Sequence, residues 1–162
     1  MPDWITHIAA AWILCRVLRF RYKSFDPENT VLVMAGALIP DLVKFAILSQ
    51  AVGWNIWNSI QPVHLPLGSF IIAGLASLLF HDRKTAFLML GLGVSTHYIL
   101  DLTLKNVGTG IYLLYPFYWG SWQLGWTTSD DYHVTIAVVM LAILVYLVSR
   151  FLEKRGTISS RF

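Results

Sequence analysis

His97 and Asp101 stand four residues apart in Ser95-Thr96-His97-Tyr98-Ile99-Leu100-Asp101, inside an apolar stretch of membrane-crossing length. At this spacing both side chains share one face of a helix, so both can approach one ion, or one can orient the other. An ionisable residue within a membrane helix costs roughly 2.5 to 3.5 kcal/mol on insertion scales, which makes it a sign of function by default. His7, Asp41 and His64 fall at the same depth by the argument below. Three histidines and two aspartates are a donor set typical of a hard or borderline metal ion. Asp41 follows Gly36-Ala37-Leu38-Ile39-Pro40, where the proline removes a helix hydrogen bond in mid-span and should free the Gly36 carbonyl. His64 lies between Pro62 and Pro66, which restrict the backbone on either side.

Helices are what must hold these residues. The chain has 162 residues, 56% hydrophobic and only 13% charged, with a mean hydropathy of +0.60, against about 25% charged in a soluble domain. It reads as one all-α integral membrane domain over 1–162, a bundle of about five transmembrane helices at 4–20, 30–52, 65–80, 85–104 and 133–152. Asp3 is placed to cap the first, Gly53 to end the second, and Ser129, Asp130 or Asp131 to cap the fifth. Between the fourth and fifth, 105–132 carries Tyr112, Tyr115, Phe117, Trp119, Trp122 and Trp126, and reads as an aromatic interfacial segment. At ~1.5 Å per helical residue, the three histidines and two aspartates all fall between the membrane centre and one surface, while His81 belongs to the opposite turn.

Ten of the twelve basic residues then lie on the other side, among them Arg16, Arg19, Arg83, Lys84, Arg150 and Lys154. The positive-inside pattern puts the N-terminus out and the C-terminus in the cytoplasm, in an inner cell membrane. The net charge of +3 is accounted for by orientation and anionic lipid, so membrane lipid is the expected partner and nucleic acid is not. No basic lead or small-residue cleavage site accompanies the first segment, so it is expected to remain in the mature protein. The single Cys15 excludes an intramolecular disulfide and reads as a small core residue. Gly91 and Gly93 suit close helix packing. Oligomerisation stays open.

A competing reading pairs Lys44 with Asp41 at i+3 and Lys105 with Asp101 at i+4, as buried ionic glue. Another takes the His/Asp cluster as a non-enzymatic cation or proton site. His133, beside Asp130 and Asp131, is an open candidate for a sixth member.

In these residues the chain resembles the membrane-bound metal-dependent hydrolases, also described as LexA-regulated, inner-membrane-associated hydrolases. The matching elements are Thr6-His7, Gly36-Ala37-Leu38-Ile39-Pro40-Asp41, His64-Leu65-Pro66-Leu67-Gly68-Ser69, His97-Tyr98-Ile99-Leu100-Asp101 and Tyr115-Pro116-Phe117, in that order along nearly the whole chain. Many members carry a further histidine and arginine before the third helix and a second aspartate soon after Pro-Asp. Here those positions read Asn58-Ser59-Ile60-Gln61-Pro62-Val63 and Leu42-Val43-Lys44, which weakens a two-metal assignment. Donor types and resemblance together point to a divalent metal, zinc by preference, held by His7, Asp41, His64, His97 and Asp101. The resemblance implies a hydrolase, and a site opening to the outer headgroup layer would suit a phosphoester or ester of an amphiphilic or lipid substrate, cleaved by metal-activated water. Asp41 or Asp101 would take the proton, and Lys44 and Lys105 would face developing negative charge.

Overall fold

Asp3 starts the first helix by accepting hydrogen bonds from the Thr6 amide and hydroxyl at 2.7 and 2.8 Å. Helix α1 (Trp4–Arg19) closes on Arg16 and Arg19, cations that suit the negative end of the helix dipole. Asp26 caps α2 (Pro27–Gly36) through the Asn29 amide, with Pro27 in the first turn, where its missing N–H costs nothing. The chain then tightens into a 3-10 turn (Pro40–Lys44) and resumes as α3 (Phe45–Ala51). A short α4 (Trp57–Ile60) and a second 3-10 turn (Gln61–His64) lead into α5 (Pro66–Ser77). Asp82 caps α6 (Arg83–Thr103), which runs into a two-residue strand β1 (Leu104–Lys105) paired in parallel with β2 (Thr127–Thr128). The last helix is α7 (Tyr132–Lys154). This computed structural model describes residues 3–105, 110–128 and 132–154, apart from the side chains at 47, 48, 51, 57 and 58. The proposed caps Ser129, Asp130 and Asp131 lie outside the described residues.

The architecture is all-helical, as expected, but the helices are unequal. Among those described, α6 and α7 are long and apolar enough to cross a membrane, and α5 is apolar but shorter. The second expected span, 30–52, is broken at Pro40 into helix, 3-10 turn and helix, because proline cannot donate to the preceding turn. Helix length alone therefore gives two crossing helices against the five read from hydropathy.

The bundle centres on α6. It lies against α2 so closely that a Cβ on Gly36 would stand 2.1 Å from the Leu90 carbonyl oxygen, and one on Gly93 would stand 2.0 Å from that of Val33. Small residues let membrane helices approach to backbone contact in this way. Helix α5 runs antiparallel to α6, with Ser69 bonded to Tyr98 at one end and Gly74 beside the Phe87 ring at the other. Helix α1 is parallel to α7: Thr6 and Asp3 meet Thr135 at one end, and Arg16 meets Glu153 at 3.1 Å at the other. Ala11, Cys15, Phe25, Val33 and Ala37 fill one core, and Ile39, Ala73, Leu90, Val94, Tyr98 and Ile111 a second. Cys15 is fully buried, in keeping with its reading as a core residue. Ile136, Met140, Ile143, Leu147 and Phe151 of α7 are exposed. An apolar face of that length suits lipid or another apolar partner better than water.

The aromatic segment folds back on the end of α6. Ile111 and Trp122 exchange backbone hydrogen bonds at 2.9 Å in each direction, and the Leu124 and Trp126 amides bond the Leu102 and Thr103 carbonyls. These bonds satisfy carbonyls that the helix end leaves open. Ile111 reaches the core, whereas Phe117, Trp119 and Trp126 are exposed.

Candidate functional site

Three imidazoles surround one carboxylate. His7 Nε2 lies 3.5 Å from Asp101 Oδ1, while His64 Nε2 and His97 Nε2 lie 3.4 and 3.3 Å from Asp101 Oδ2. His7 comes from the second turn of α1, His64 from the 3-10 turn before α5, and His97 and Asp101 from consecutive turns of α6. The four-residue spacing thus puts the pair on one face, as the sequence requires. His7 and His97 are fully buried and their rings stack at 3.8 Å, 13° from parallel. Two imidazolium ions would repel strongly at that distance.

The Pro40 break fixes which nitrogen His97 presents. In the tightened turn the Gly36 carbonyl accepts from the Ile39 amide and the Leu38 carbonyl from the Asp41 amide. Between them stands Ala37, whose i+3 partner is Pro40, a residue with no N–H to give. The carbonyl released in mid-span is therefore that of Ala37, one residue beyond the Gly36 expected from an α-helical count. His97 Nδ1 donates to it at 2.8 Å. This is how metal-ligating histidines are commonly oriented, with one nitrogen donating to a carbonyl and the other carrying its lone pair forward.

In that tautomer His97 Nε2 turns a lone pair toward a carboxylate 3.3 Å away. Such a contact is unfavourable unless a proton or a cation lies between. Among the described residues, His7 Nδ1 and Nε2, His64 Nε2, His97 Nε2, Asp41 Oδ1 and Asp101 Oδ1 are all buried without a hydrogen-bond partner. Folded proteins seldom leave so many polar atoms unmatched in one place. The spacings are also long for charge-assisted hydrogen bonds, which fall near 2.7 to 2.9 Å. Two of them run to Asp101 Oδ2 and one to Oδ1, and each is near the roughly 3.3 Å that separates neighbouring donors around an ion with bonds of about 2.05 Å. Imidazole nitrogen and carboxylate oxygen are donor types that a zinc-sized ion takes.

Asp41, in the first 3-10 turn, adds a fifth group. One set of donor atoms within 4.8 Å comprises His7, His97 and Asp101, and another comprises Asp41, His64 and His97. The two sets share His97 and so adjoin one another. Lys44 Nζ lies 2.5 Å from Asp41 Oδ2 and 6.0 Å from the centre of the Trp4 ring. The Lys44–Asp41 pairing suggested by i+3 spacing is thus present. The corresponding pairing of Lys105 with Asp101 is not, since Lys105 is exposed on β1 and the histidines meet Asp101 instead. His133 is exposed at the start of α7, and His81 in the turn before α6.

A tight clamp holds His64. Leu65 is extended before Pro66, Ser69 Oγ donates to the Val63 carbonyl at 2.6 Å, and the same hydroxyl meets Tyr98 at 2.8 Å. A Cβ on Gly68 would lie 2.1 Å from the Pro62 carbonyl oxygen, so only glycine lets this turn rest on α5. Gly68→Ala should displace His64 and, if the centre takes a divalent ion, weaken its affinity about tenfold, the lower end of effects seen when ligand support is lost. Calorimetric titration of purified wild type and variant checks this. Sequence reasoning missed Tyr98, Ser69 and the Ala37 carbonyl as parts of the site; the only signal for Ala37 was its three-residue distance from Pro40.

No curated protein and no solved structure matches the chain. A family model does: residues 1–158, which include all the described helices, match it, and the chain belongs to the YdjM inner membrane protein family.

Proposed function

We propose that the His/Asp centre holds one divalent metal ion, best matched by zinc, and that the protein is a metal-dependent membrane hydrolase. Its substrate would be a phosphoester or ester of an amphiphilic or lipid molecule. The observation that carries this reading is the ring of three Nε2 atoms, 3.3 to 3.5 Å from one buried carboxylate and without hydrogen-bond partners.

His64, His97 and Asp101 would be the principal ligands, with His7 and Asp41 as further ligands or their support. A bound divalent ion supplies Lewis acidity and lowers the pKa of water to about 7. Asp41 Oδ1 is buried without a hydrogen-bond partner while Oδ2 is held by Lys44, so this carboxylate has an oxygen left to accept a proton. Lys44 supplies a cation beside Asp41, where many proteins resembling this one carry another aspartate. A single ion plus an ammonium then serves in place of two ions. Tyr98, fixed by Ser69, sits edge-on to the His64 and His97 rings and keeps them from turning.

Five crossings remain the best arrangement of the chain in this proposal. Parallel α1 and α7 and antiparallel α5 and α6 have the directions that alternating crossings require. The N-terminus then faces out, with the His/Asp centre toward the outer leaflet and the exposed aromatic residues after α6 at the headgroups.

A second reading has a specific basis as well. Four donor side chains on one ion close the coordination sphere as in structural zinc sites, which would suit a non-enzymatic cation site. Turnover separates the two. Purified protein reconstituted with zinc should hydrolyse micellar p-nitrophenyl esters or phosphodiesters bearing an acyl chain. His97→Ala should lose both the metal and at least about 100-fold of the rate. Activity that survives chelation, or loss of activity with metal fully retained in His97→Ala, would count against the hydrolase scheme. Metal binding without turnover on either class would favour the closed cation site.

A further inference from the structure

At the end of α1 away from the His/Asp centre, α1, α2 and α7 line a half-open cavity of about 500 Å³. Its walls are of two kinds. Arg16, Arg19 and Arg150 bring three guanidinium groups, while Trp12, Val31 and Met34 supply an apolar side. Glu153 is the acidic neighbour, 3.1 Å from Arg16 and 3.7 Å from Arg150. Among the described residues that line the cavity three are arginines and none is acidic, and Glu153 lies closest to Arg16.

We propose that this cavity is a binding site for an anionic phospholipid, its phosphate held by Arg19 and Arg150 with Arg16 behind them. Planar guanidinium groups suit phosphate because they offer paired donors in a fixed fork. The volume lies within the range of specific ligand pockets and exceeds what a lone phosphate needs. The apolar wall continues onto surface that is already lipid-like. Val31 is exposed beside the cavity, and Leu144, Leu147 and Val148 are exposed on the adjoining helix α7. The headgroup and the first part of the acyl chains would fill the cavity, and the remaining tails would follow α2 and α7. Basic pockets between transmembrane helices take lipid headgroups in this manner. The site shares no residue with the His/Asp centre, from which Arg16 is separated by about 14 Å of α1 at ~1.5 Å per residue. The proposal stands whether or not that centre binds metal.

Native mass spectrometry of the full-length chain, delipidated in detergent, provides the test. Phosphatidylglycerol, phosphatidylcholine and inorganic phosphate are the probes. The expected result is one retained phosphatidylglycerol per chain, little phosphatidylcholine, and no displacement by excess phosphate. Arg19→Gln with Arg150→Gln should reduce retention about 25-fold, at about fivefold per arginine, and leaves Arg16 to pair with Glu153. Met34→Trp, which keeps every charge but fills the apolar side, should reduce it too. Circular dichroism melting identifies a variant that has not folded, and the other then decides. Equal retention of phosphatidylcholine, or unchanged retention in a folded variant, would reduce the finding to non-specific surrounding lipid and overturn the proposal. Displacement by phosphate alone would overturn it in favour of a small phosphate ligand.

Discussion

Replacing Asp101 with asparagine should lower divalent-metal affinity at least about 100-fold while leaving the metal-free protein no less stable. The two halves of this expectation have one cause. Asp101 is 1% exposed and is the group on which His7, His64 and His97 converge. Without an ion, its carboxylate is a buried charge facing nitrogen atoms that make no hydrogen bond to it. An amide of the same shape removes that charge. With an ion, the carboxylate is the anionic ligand and no amide replaces it. A ligand that binds only the folded state at about 100 times its Kd stabilises by about 2.7 kcal/mol. Zinc should therefore raise the melting temperature of wild type clearly and that of Asp101→Asn hardly at all. If Asp101→Asn melts far below wild type with chelator present throughout, the carboxylate is ionic glue for the histidines and the metal reading loses its main support.

Gly93→Val should be the most damaging substitution away from the donor atoms. Its Cβ would meet the Val33 carbonyl oxygen at 2.0 Å and the Ala37 amide nitrogen at 2.6 Å, both backbone atoms that cannot swing aside. Relief requires α2 to move off α6. Overpacking of this kind costs about 1 to 3 kcal/mol, and occasionally more. The same movement carries the Ala37 carbonyl away from His97 Nδ1, so the imidazole loses the bond that fixes its tautomer. Loss of stability and of metal affinity should thus appear together. Gly91→Ala, whose Cβ would meet only the edge of the Phe70 ring at 3.2 Å, should be much milder. Thermal melting and metal titration of both variants check the contrast, and equal effects would mean that the α2–α6 contact does not position His97.

The grouping of the His and Asp side chains is more legible in the sequence than the helices that carry them. His97 and Asp101 announce themselves by chemistry and spacing together, because a charged residue on an apolar segment is rare enough to be informative. His7, Asp41 and His64 followed from depth, since helical rise converts position along the chain into height in the membrane. The second segment misled for a physical reason. Hydropathy over 30–52 sees a continuous apolar run, whereas hydrogen bonding sees Pro40 and ends α2 at Gly36. Register was the finer loss. Only the tightened turn shows that Ala37, not Gly36, keeps a carbonyl for His97. Lys44 and Lys105 have similar local spacing to their aspartates, yet one is turned inward beside Trp4 and the other lies on an exposed strand. Local spacing permits an ion pair, and the packing of other helices decides whether it forms. The cavity at the far end drew no signal at all, because its arginines come from the ends of α1 and α7, far apart in sequence.

The most direct measurement is elemental analysis of the wild-type protein, extracted in detergent without chelator, followed by X-ray absorption at the edge of whatever metal is found. A His/Asp metal centre predicts close to one zinc per chain, with nitrogen and oxygen ligands at about 2.0 to 2.1 Å and the outer-shell scattering of imidazole. No metal in the purified protein, and none retained after reloading with zinc, would contradict it and leave the three histidines around Asp101 as a proton-sharing or ion-paired core.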